Sequence, residues 1–168
     1  MSGIMGRVKM YELDNDQPDG VDLPDEGHNS YRNQWLLEDF LHKNMYPITL
    51  DWGNKNMKFI VLIEDGNDIV GLSALIPYKK QARKVHLCAM LVVERLRRRG
   101  LGTEMLKRIA VMYPQNEVTL SVLFEQCDVL NFYMNKGYAV LKSVDTGKRC
   151  FVLSLVNLKL LQDVSLPD

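Results

Sequence analysis

The residues best suited to chemistry lie in one short stretch, VERLRRRGLGTEML, at positions 93–106. Four arginines occupy five consecutive positions, and two glycines follow just before an apolar pattern with helical spacing begins. The first N–H groups of a helix have no intrahelical acceptor, and the helix dipole adds partial positive charge at that end. Glycines let such amides approach an anion closely, and arginines add charge. The pattern therefore predicts a phosphate site.

The spacing of the glycines distinguishes three kinds of phosphate loop. A Walker A loop requires a lysine after its last glycine, whereas Thr103 follows Gly102 here. A dinucleotide-binding GxGxxG loop requires a third glycine at the position that Met105 occupies. The pattern that remains is Arg97-x-x-Gly100-x-Gly102, between a predicted strand and a predicted helix. Taken alone, it also fits an exposed arginine-rich turn with capping glycines.

The elements around this loop alternate in an order that indicates the fold class. The strands are predicted at 6–13, on both sides of EDGND within 57–80, at 84–93, at 117–124, and as YAVLKSV and KRCFVLSLV joined by a turn at DTGK. The helices are predicted at 31–47, where Pro47 ends the first, at 103–113, and at 127–137, where Gly137 ends the last. This order predicts an α+β fold, a mixed central sheet of about six to seven strands flanked by helices.

Apolar side chains predict which face of each element is buried. The strand at 84–93 is apolar on both faces, so we expect it in the centre of the sheet. The buried face of the first helix is predicted from Trp35, Leu36, Phe40 and Leu41. The buried face of the helix at 103–113 is predicted from Met105, Leu106, Ile109, Ala110 and Met112.

A second motif lies downstream, in VLNFYMNKGY at positions 129–138. Together with Arg97-x-x-Gly100-x-Gly102 it resembles the GNAT superfamily of acyl-CoA N-acyltransferases, whose motifs read [Q/R]xxGx[G/A] and A-x-x-x-[F/L]-Y-x-K-x-G-[F/Y]. The residues that match the second motif are Phe132, Tyr133, Gly137 and Tyr138. Val129 replaces the usual small residue, and Lys136 lies one position later than the family's lysine. The order and spacing of elements match over about residues 57–155.

The resemblance implies acetyl-CoA as co-substrate, no metal, and a GNAT fold with a splayed acetyl-CoA groove. The diphosphate of coenzyme A would bind the loop residues Arg97, Arg98, Arg99, Gly100, Leu101, Gly102 and Thr103. The pantetheine arm would pair with the strand backbone at Met90, Leu91 and Val92. Gln126 stands where the family often has asparagine, and it would hydrogen-bond the pantetheine.

Two side chains are the candidates for the chemistry. Tyr133 matches the family's tyrosine that protonates the leaving thiolate, and the alternative is a tyrosine that only packs in the core. His86 lies fourteen residues before Gly100, where several family members carry a base, and its imidazole titrates near neutrality. The alternative is a half-buried histidine bonded to a neighbour. Other candidate bases are Glu64, Glu94 and Glu125. Ser121 stands where N-terminal protein acetyltransferases often place a second histidine.

Composition bounds the function further. The chain has 21 basic and 21 acidic residues, so a general nucleic-acid binder is not expected. Seven acidic and two basic residues give positions 1–30 a net charge of −5, and we interpret 14–30 as an acidic loop or mobile segment. Three cysteines without a CxxC pair indicate a reducing compartment. We expect the cytoplasm, with the nucleus as the alternative, and no membrane association.

These observations predict a single GNAT acetyltransferase domain over residues 1–168, with a C-terminal tail at 158–168. The predicted function is direct acetyl transfer from acetyl-CoA to a primary amine through a ternary complex. A protein lysine or N-terminal amine is favoured as acceptor. The alternatives are a small amine or polyamine as acceptor, and a non-catalytic module that binds acetyl-CoA. The protein is expected to be a monomer or a homodimer.

Overall fold

The structure is a computed structural model that describes residues 7–15, 30–45, 50–66, 68–78, 83–123, 127–144 and 150–156. The elements in these ranges are β1 (Val8–Asp14), α1 (Ser30–Lys43), β2 (Lys58–Glu64), β3 (Asp68–Pro77), β4 (Lys84–Val92), α2 (Leu101–Met112), β5 (Glu117–Leu123), α3 (Cys127–Asn135), β6 (Ala139–Val144) and β7 (Cys150–Val156). A 3₁₀ turn at Glu94–Leu96 lies between β4 and α2. The predicted order of strands and helices is confirmed.

The seven strands form one mixed sheet in the order β1-β2-β3-β4-β5-β7-β6. β1–β2, β2–β3, β5–β7 and β6–β7 are antiparallel, and β4–β5 is parallel. The α+β class with a mixed sheet is therefore confirmed, as is the central place of β4. The chain divides into two compact units, Met1–Ile76 with Ala89–Met105 and Pro77–Cys88 with Leu106–Asp168. The predicted splayed groove stays a prediction.

The first unit contains the predicted hairpin. β2 and β3 pair antiparallel, and Gly66 in the turn between them has a φ of 97°, which a glycine adopts without strain. Within the hairpin, Leu62 pairs with Gly71, and the register shifts just after Leu62. A Cβ atom on Gly71 would lie 2.7 Å from the Leu62 side chain, so a larger residue there would have to displace that side chain.

The buried face of α1 differs in part from the prediction. Leu37, Phe40 and Leu41 are buried, whereas Trp35 is 61% exposed. A helix turns by about 100° per residue, so Trp35 lies about 200° from Leu37 and faces the opposite side. Leu36 is half-buried. The helix also ends at Lys43, before the proline that was expected to end it.

The second unit has a sheet with one apolar and one polar face. Lys84, Val85 and His86 of β4 pair with Glu117, Val118 and Thr119 of β5. Paired residues point to the same side of a sheet and their neighbours to the other side. The side chains of one face are buried and apolar: Val85, Leu87, Val118, Leu120, Val122 and Leu153. On the other face of β4, His86 and Cys88 are half-buried, so this face is less buried than a strand apolar on both faces would suggest.

The two later helices end where the sequence predicted. In α2, Met105, Leu106, Ile109 and Ala110 are buried as expected, and Met112 is half-buried. At the end of α3, the amide of Gly137 donates to the Met134 carbonyl and the amide of Tyr138 donates to the Tyr133 carbonyl. With a φ of 98° at Gly137, these two bonds form a Schellman motif.

Several predictions lie outside the described residues. They concern the DTGK turn at 145–148, positions 16–29 of the acidic segment, Glu125, Gln126 and the tail at 158–168. The prediction of a single domain over the whole chain stays a prediction. Within the described ranges, no helix is long and apolar enough to cross a membrane.

Candidate functional site

The loop between β4 and α2 has the backbone geometry of an anion-binding turn. Arg98 and Gly100 have left-handed φ values of 63° and 86°, whereas Arg99 between them does not. The amide of Glu104 donates to the Gly100 carbonyl at 2.9 Å, which is the first hydrogen bond of the helix. The amides before Glu104, from Leu101 onward, therefore have no acceptor within the helix. In many proteins, backbone that alternates in hand directs successive N–H groups into a shared concavity that binds an anion.

Gly100 has room for a ligand. A Cβ atom built on it would meet no heavy atom within 4 Å, so packing does not require glycine there. Its positive φ favours glycine, and the absence of a side chain leaves the neighbouring amides open to approach. Arg98 adopts the left-handed conformation without being glycine, at a cost of about 1–2 kcal/mol. No feature of the sequence signalled this strained residue, which has an exposed side chain.

Arg97, the first residue of the loop motif, is attached to the end of β4. Its Nε–H donates to the Val92 carbonyl at 2.8 Å, and its backbone amide donates to the Glu94 carbonyl at 3.1 Å. The side chain therefore braces the turn by which the chain leaves the strand. Arg98 and Arg99 are exposed and add positive charge beside the loop. Contact of these arginines with an anion stays a prediction.

Glu64 and Arg95 form an ion pair next to this loop. Both guanidinium nitrogens of Arg95 donate to the Glu64 carboxylate, at 3.2 and 2.5 Å. The hydrogen bond from Arg95 lowers the pKa of the Glu64 carboxyl below its ordinary value. A carboxylate stabilised in this way is a weaker base, so Glu64 is less suited to catalysis than His86. Glu94, another alternative, is exposed.

The C-terminal half of β4 provides the backbone predicted for the pantetheine. Leu91 and Val92 are buried, and Met90 is half-buried. The following residue, Val93, donates its amide to the Val70 carbonyl at 2.9 Å, which fixes the end of β4 against β3. These residues and the 97–103 loop belong to the same compact unit. Pairing with pantetheine stays a prediction.

His86 lies in the second unit, on the polar face of β4. Its Nδ1 is 3.0 Å from Oγ1 of Thr119, the residue paired with it on β5. Its ring is 6.4 Å from the Tyr78 ring, centre to centre. Burial lowers the pKa of the imidazole below 6.5, so the neutral form, which can accept a proton, predominates at neutral pH. The geometry is compatible with both interpretations of His86 made from the sequence. The histidine is half-buried and bonded to a neighbour, and its neutral imidazole is also suited to act as a base.

Tyr133 is buried in the second unit, on α3. Its ring packs edge-to-face against Phe132 and Tyr138, with centroid distances of 5.2 and 5.4 Å. The hydroxyl of Tyr138 is buried and has no hydrogen-bond partner among the described residues. Burial raises the pKa of the Tyr138 phenol above its ordinary value, so it stays protonated. The acid role of Tyr133 stays a prediction.

The structure thus places the candidate residues in two groups. The loop 97–103 and Met90–Val92 belong to the first unit, and His86 and Tyr133 belong to the second. Ser121 is exposed on β5. Sequence reasoning missed Thr119, because the register of a parallel strand pair is not readable from the two strands alone. In the described parts of the chain, no group of three or more His, Cys, Asp or Glu side chains could hold a metal ion.

Comparisons with known proteins agree with this architecture. The crystal structure of Escherichia coli ElaA is similar to this one, with 14% sequence identity and a TM-score of 0.62. The aligned region covers 88% of this chain and 98% of ElaA. The spermidine/spermine N-acetyltransferase SpeG from Vibrio cholerae, solved with manganese ions, is also similar, with 12% sequence identity and a TM-score of 0.58. The aligned region covers 94% of this chain and 97% of SpeG. At such identities the likeness is one of fold. A search of curated proteins found no match.

A family model gives the assignment. The model for the acetyltransferase (GNAT) family matches residues 10–138, which include the 97–103 loop, His86 and Tyr133. The match extends over more than half of the chain, and the element order and mixed sheet agree with it. The protein therefore belongs to the acetyltransferase (GNAT) family and is an N-acetyltransferase.

Proposed function

We propose that the protein transfers an acetyl group from acetyl-CoA directly to a primary amine, with both substrates bound at once. The observation that carries this proposal is the loop of the first unit. Left-handed φ values at Arg98 and Gly100, open space at Gly100 and the start of α2 together fit a diphosphate. Positive charge from Arg98 and Arg99 strengthens the attraction. The backbone of Met90–Val92 would hold the pantetheine, and Gln126 would bond it.

His86 would act as the general base. Its neutral imidazole would take a proton from the acceptor ammonium, and the freed amine would attack the thioester carbonyl carbon. The C–N bond would form, and the backbone amide around Met90 would stabilise the oxyanion. The lowered pKa of His86 supports this role, because the imidazole is already unprotonated at neutral pH.

Tyr133 would act as the general acid. As the tetrahedral intermediate collapses, the C–S bond breaks and the leaving thiolate takes the phenol's proton. The tyrosine recovers its proton from the positively charged nitrogen of the intermediate, directly or through water, and His86 releases its proton to solvent. The products are an N-acetylated amine, free coenzyme A and one proton released to solvent. The match of Tyr133 to the family's motif tyrosine supports this assignment.

The acceptor that we favour is a protein lysine or an N-terminal amine, because His86 occupies the position of a base in protein acetyltransferases. A small amine or polyamine is the second candidate. SpeG is by its name a spermidine/spermine N-acetyltransferase, and it shares the fold at 12% identity. Ser121 stands at the position of the second histidine of N-terminal acetyltransferases, which favours lysine within the first class. We further propose a cytoplasmic monomer or homodimer.

The proposal is tested by measuring thiol release from acetyl-CoA with lysine peptides, peptides with free N-termini, and spermidine. Acetyl-CoA at 100 times its Kd should first stabilise the protein by about 2.7 kcal/mol, which a thermal shift detects. Acetylation of a lysine peptide above the rate without acceptor is the expected result. Exclusive acetylation of spermidine would transfer the proposal to the second acceptor class. A protein that acetyl-CoA does not stabilise would contradict the assignment of the loop.

A further inference from the structure

Four polar residues lie in adjacent positions on one face of the second unit's sheet. His86 pairs with Thr119 across β4 and β5, and Thr119 pairs with Ser154 across β5 and β7. Thr119 Oγ1 lies 3.0 Å from Nδ1 of His86, and Ser154 Oγ donates to Glu117 Oε2 at 2.6 Å. Thr119 is buried, and His86 and Ser154 are half-buried. The family motifs assign no role to Thr119, Ser154 or Glu117.

The chemistry of these groups gives the hydrogen bonds a direction. An ionised carboxylate accepts and cannot donate, so the Ser154 hydroxyl must give its proton to Glu117. The Ser154 oxygen is then an acceptor opposite Thr119, and Thr–Ser pairs across antiparallel strands commonly hydrogen-bond. If Thr119 gives its proton to Ser154, its oxygen can only accept from His86. Nδ1 of His86 must then carry the hydrogen.

The position of that hydrogen decides whether His86 can act as a base. In a neutral imidazole, one ring nitrogen carries the hydrogen and the other has the lone pair that can accept a proton. The hydrogen-bond partner of one nitrogen, here Nδ1, determines which of the two carries the hydrogen. With the hydrogen on Nδ1, Nε2 has the lone pair and can take a proton from an amine. With the hydrogen on Nε2, the lone pair points at Thr119 and no nitrogen is available. Free histidine in water favours this second form.

We propose that Glu117, Ser154 and Thr119 form a one-directional hydrogen-bond chain that holds His86 in the Nδ1–H tautomer and so exposes Nε2 as the base. The inference rests on the proposed function of His86 and adds its positioning residues. Thr119 acts through His86 and touches no substrate in this scheme. The structure contains the two outer hydrogen bonds, between His86 and Thr119 and between Ser154 and Glu117, and the middle one, from the Thr119 hydroxyl to Ser154 on the paired strand, is the inferred step.

The other ionisable groups around His86 are compatible with this chain. Lys84, two residues earlier on β4, has its Nζ 3.9 Å from Glu117 Oε1 and forms an ion pair with that carboxylate. Cys88, two residues later, donates through its Sγ to the His86 backbone carbonyl at 3.7 Å. Tyr78 faces the imidazole as a ring.

The direct test is the tautomer of His86, read from the ¹⁵N chemical shifts of its ring nitrogens at pH 8. The protein contains three histidines, and the variant His86→Gln identifies the signals of His86 by their disappearance. The expected wild-type spectrum has a protonated Nδ1 and an unprotonated Nε2. Thr119→Val keeps the shape but removes the oxygen, so it should shift His86 to the Nε2–H form. Thr119→Ser should retain the wild-type tautomer.

Kinetics provide the second measurement. Thr119→Val should lower kcat by about 10-fold or more with KM for acetyl-CoA unchanged, because a histidine in the wrong tautomer cannot accept the proton. Thr119→Ser should restore kcat, which a general packing defect would not allow. Ser154→Ala, at a half-buried position, should shift part of the His86 population to the Nε2–H form even if the valine variant does not fold.

The outcomes separate the two levels of the proposal. A wild-type His86 in the Nε2–H form, or an unchanged tautomer in both Thr119→Val and Ser154→Ala, would overturn the chain. Wild-type kcat in His86→Gln would instead remove the base role from the proposed function, while the tautomer spectra would still decide whether the chain exists. A tautomer shift accompanied by the kcat loss supports both.

Discussion

Two neighbouring tyrosines of the second unit provide a matched test of the acid assignment. Tyr133 and Tyr138 pack edge-to-face at 5.4 Å, and both are buried. Changing either residue to phenylalanine removes one oxygen and keeps both rings, so the ring contact, worth about 0.5–1.5 kcal/mol, is preserved. The two variants therefore differ in which hydroxyl is lost and in little else.

The expected effects are opposite in kind. Tyr133→Phe should lower kcat by about 100-fold or more with KM little changed, because the proton donation is made in the transition state. Tyr138→Phe should leave kcat unchanged and stabilise the protein. Its hydroxyl is buried without a partner among the described residues, and an unsatisfied buried polar group costs about 1–3 kcal/mol. For a chain of this size, each kcal/mol raises Tm by about 2–4 °C.

The assay combines thiol release, under saturating acetyl-CoA and an acceptor verified with the wild type, with thermal unfolding of all three proteins. Equal kcat in Tyr133→Phe and wild type would refute the acid role and leave the family and the loop unaffected. A kcat loss shared by Tyr138→Phe would show that the ring cluster, and not one hydroxyl, controls turnover. A Tyr138→Phe protein less stable than wild type would mean that its hydroxyl has a partner.

Four further predictions follow from the geometry. Gly100→Asn and Gly100→Asp have the same shape and tolerate a left-handed φ similarly, so Kd for acetyl-CoA from calorimetry should rise at least about 10-fold more, or ~1.4 kcal/mol, for the charged variant; equal Kd values would contradict diphosphate binding. His86→Gln should lower kcat and abolish the acid limb of the pH–rate profile, whose wild-type midpoint should lie below pH 6.5; an unchanged acid limb would show that a group other than His86 titrates there. Gly71→Ala should destabilise by about 1–3 kcal/mol in urea unfolding, because its Cβ would meet Leu62; an unchanged midpoint would show that the Leu62 side chain can move aside without cost. Glu64→Gln should leave kcat within about twofold, since an exposed pair contributes little, and a large loss would restore Glu64 as a candidate base.

The same lowered pKa predicts how stability depends on pH. Burial favours neutral His86, so the folded state binds this proton less readily than the unfolded state. The stabilisation is fully present above the ordinary value of about 6.5 and is lost as the pH falls through the lowered folded value. Unfolding of wild type and His86→Gln between pH 5 and 8, compared by urea midpoints, should show a steeper acid loss in the wild type.

Local patterns predicted most of the fold because they act within one element. The β2–β3 hairpin, the central β4 and the end of α3 at Gly137 each follow from residues close in sequence. The error at Trp35 has a different origin. Two overlapping apolar stripes fit the segment that became α1, and tertiary packing, not the helix itself, selected the stripe through Leu37.

The candidate site was predictable to a similar degree. Glycine spacing located the 97–103 loop, since its residue types reflect backbone requirements at that very position. The left-handed φ of Arg98 and the bond from Arg97 to Val92 were not predictable, because arginine is normally chosen for charge and neither role requires its residue type. A residue type that the loop's backbone conformation requires, such as glycine, leaves a signal in the sequence. The particular hydrogen bond that an arginine side chain makes to the backbone does not.

The partner of His86 shows the same limit more sharply, and with a consequence for mechanism. Thr119 is 33 residues away from His86 in sequence, on a parallel strand whose register depends on the α2 connection. A threonine in a strand is ordinary, so nothing marks it as special. The sequence can therefore nominate a histidine with a suitable pKa, yet whether its Nε2 has a lone pair depends on a residue that only the assembled sheet provides. If the tautomer measured for His86 is Nδ1–H, the catalytic competence of β4 depends on the pairing of β5 with both of its neighbours.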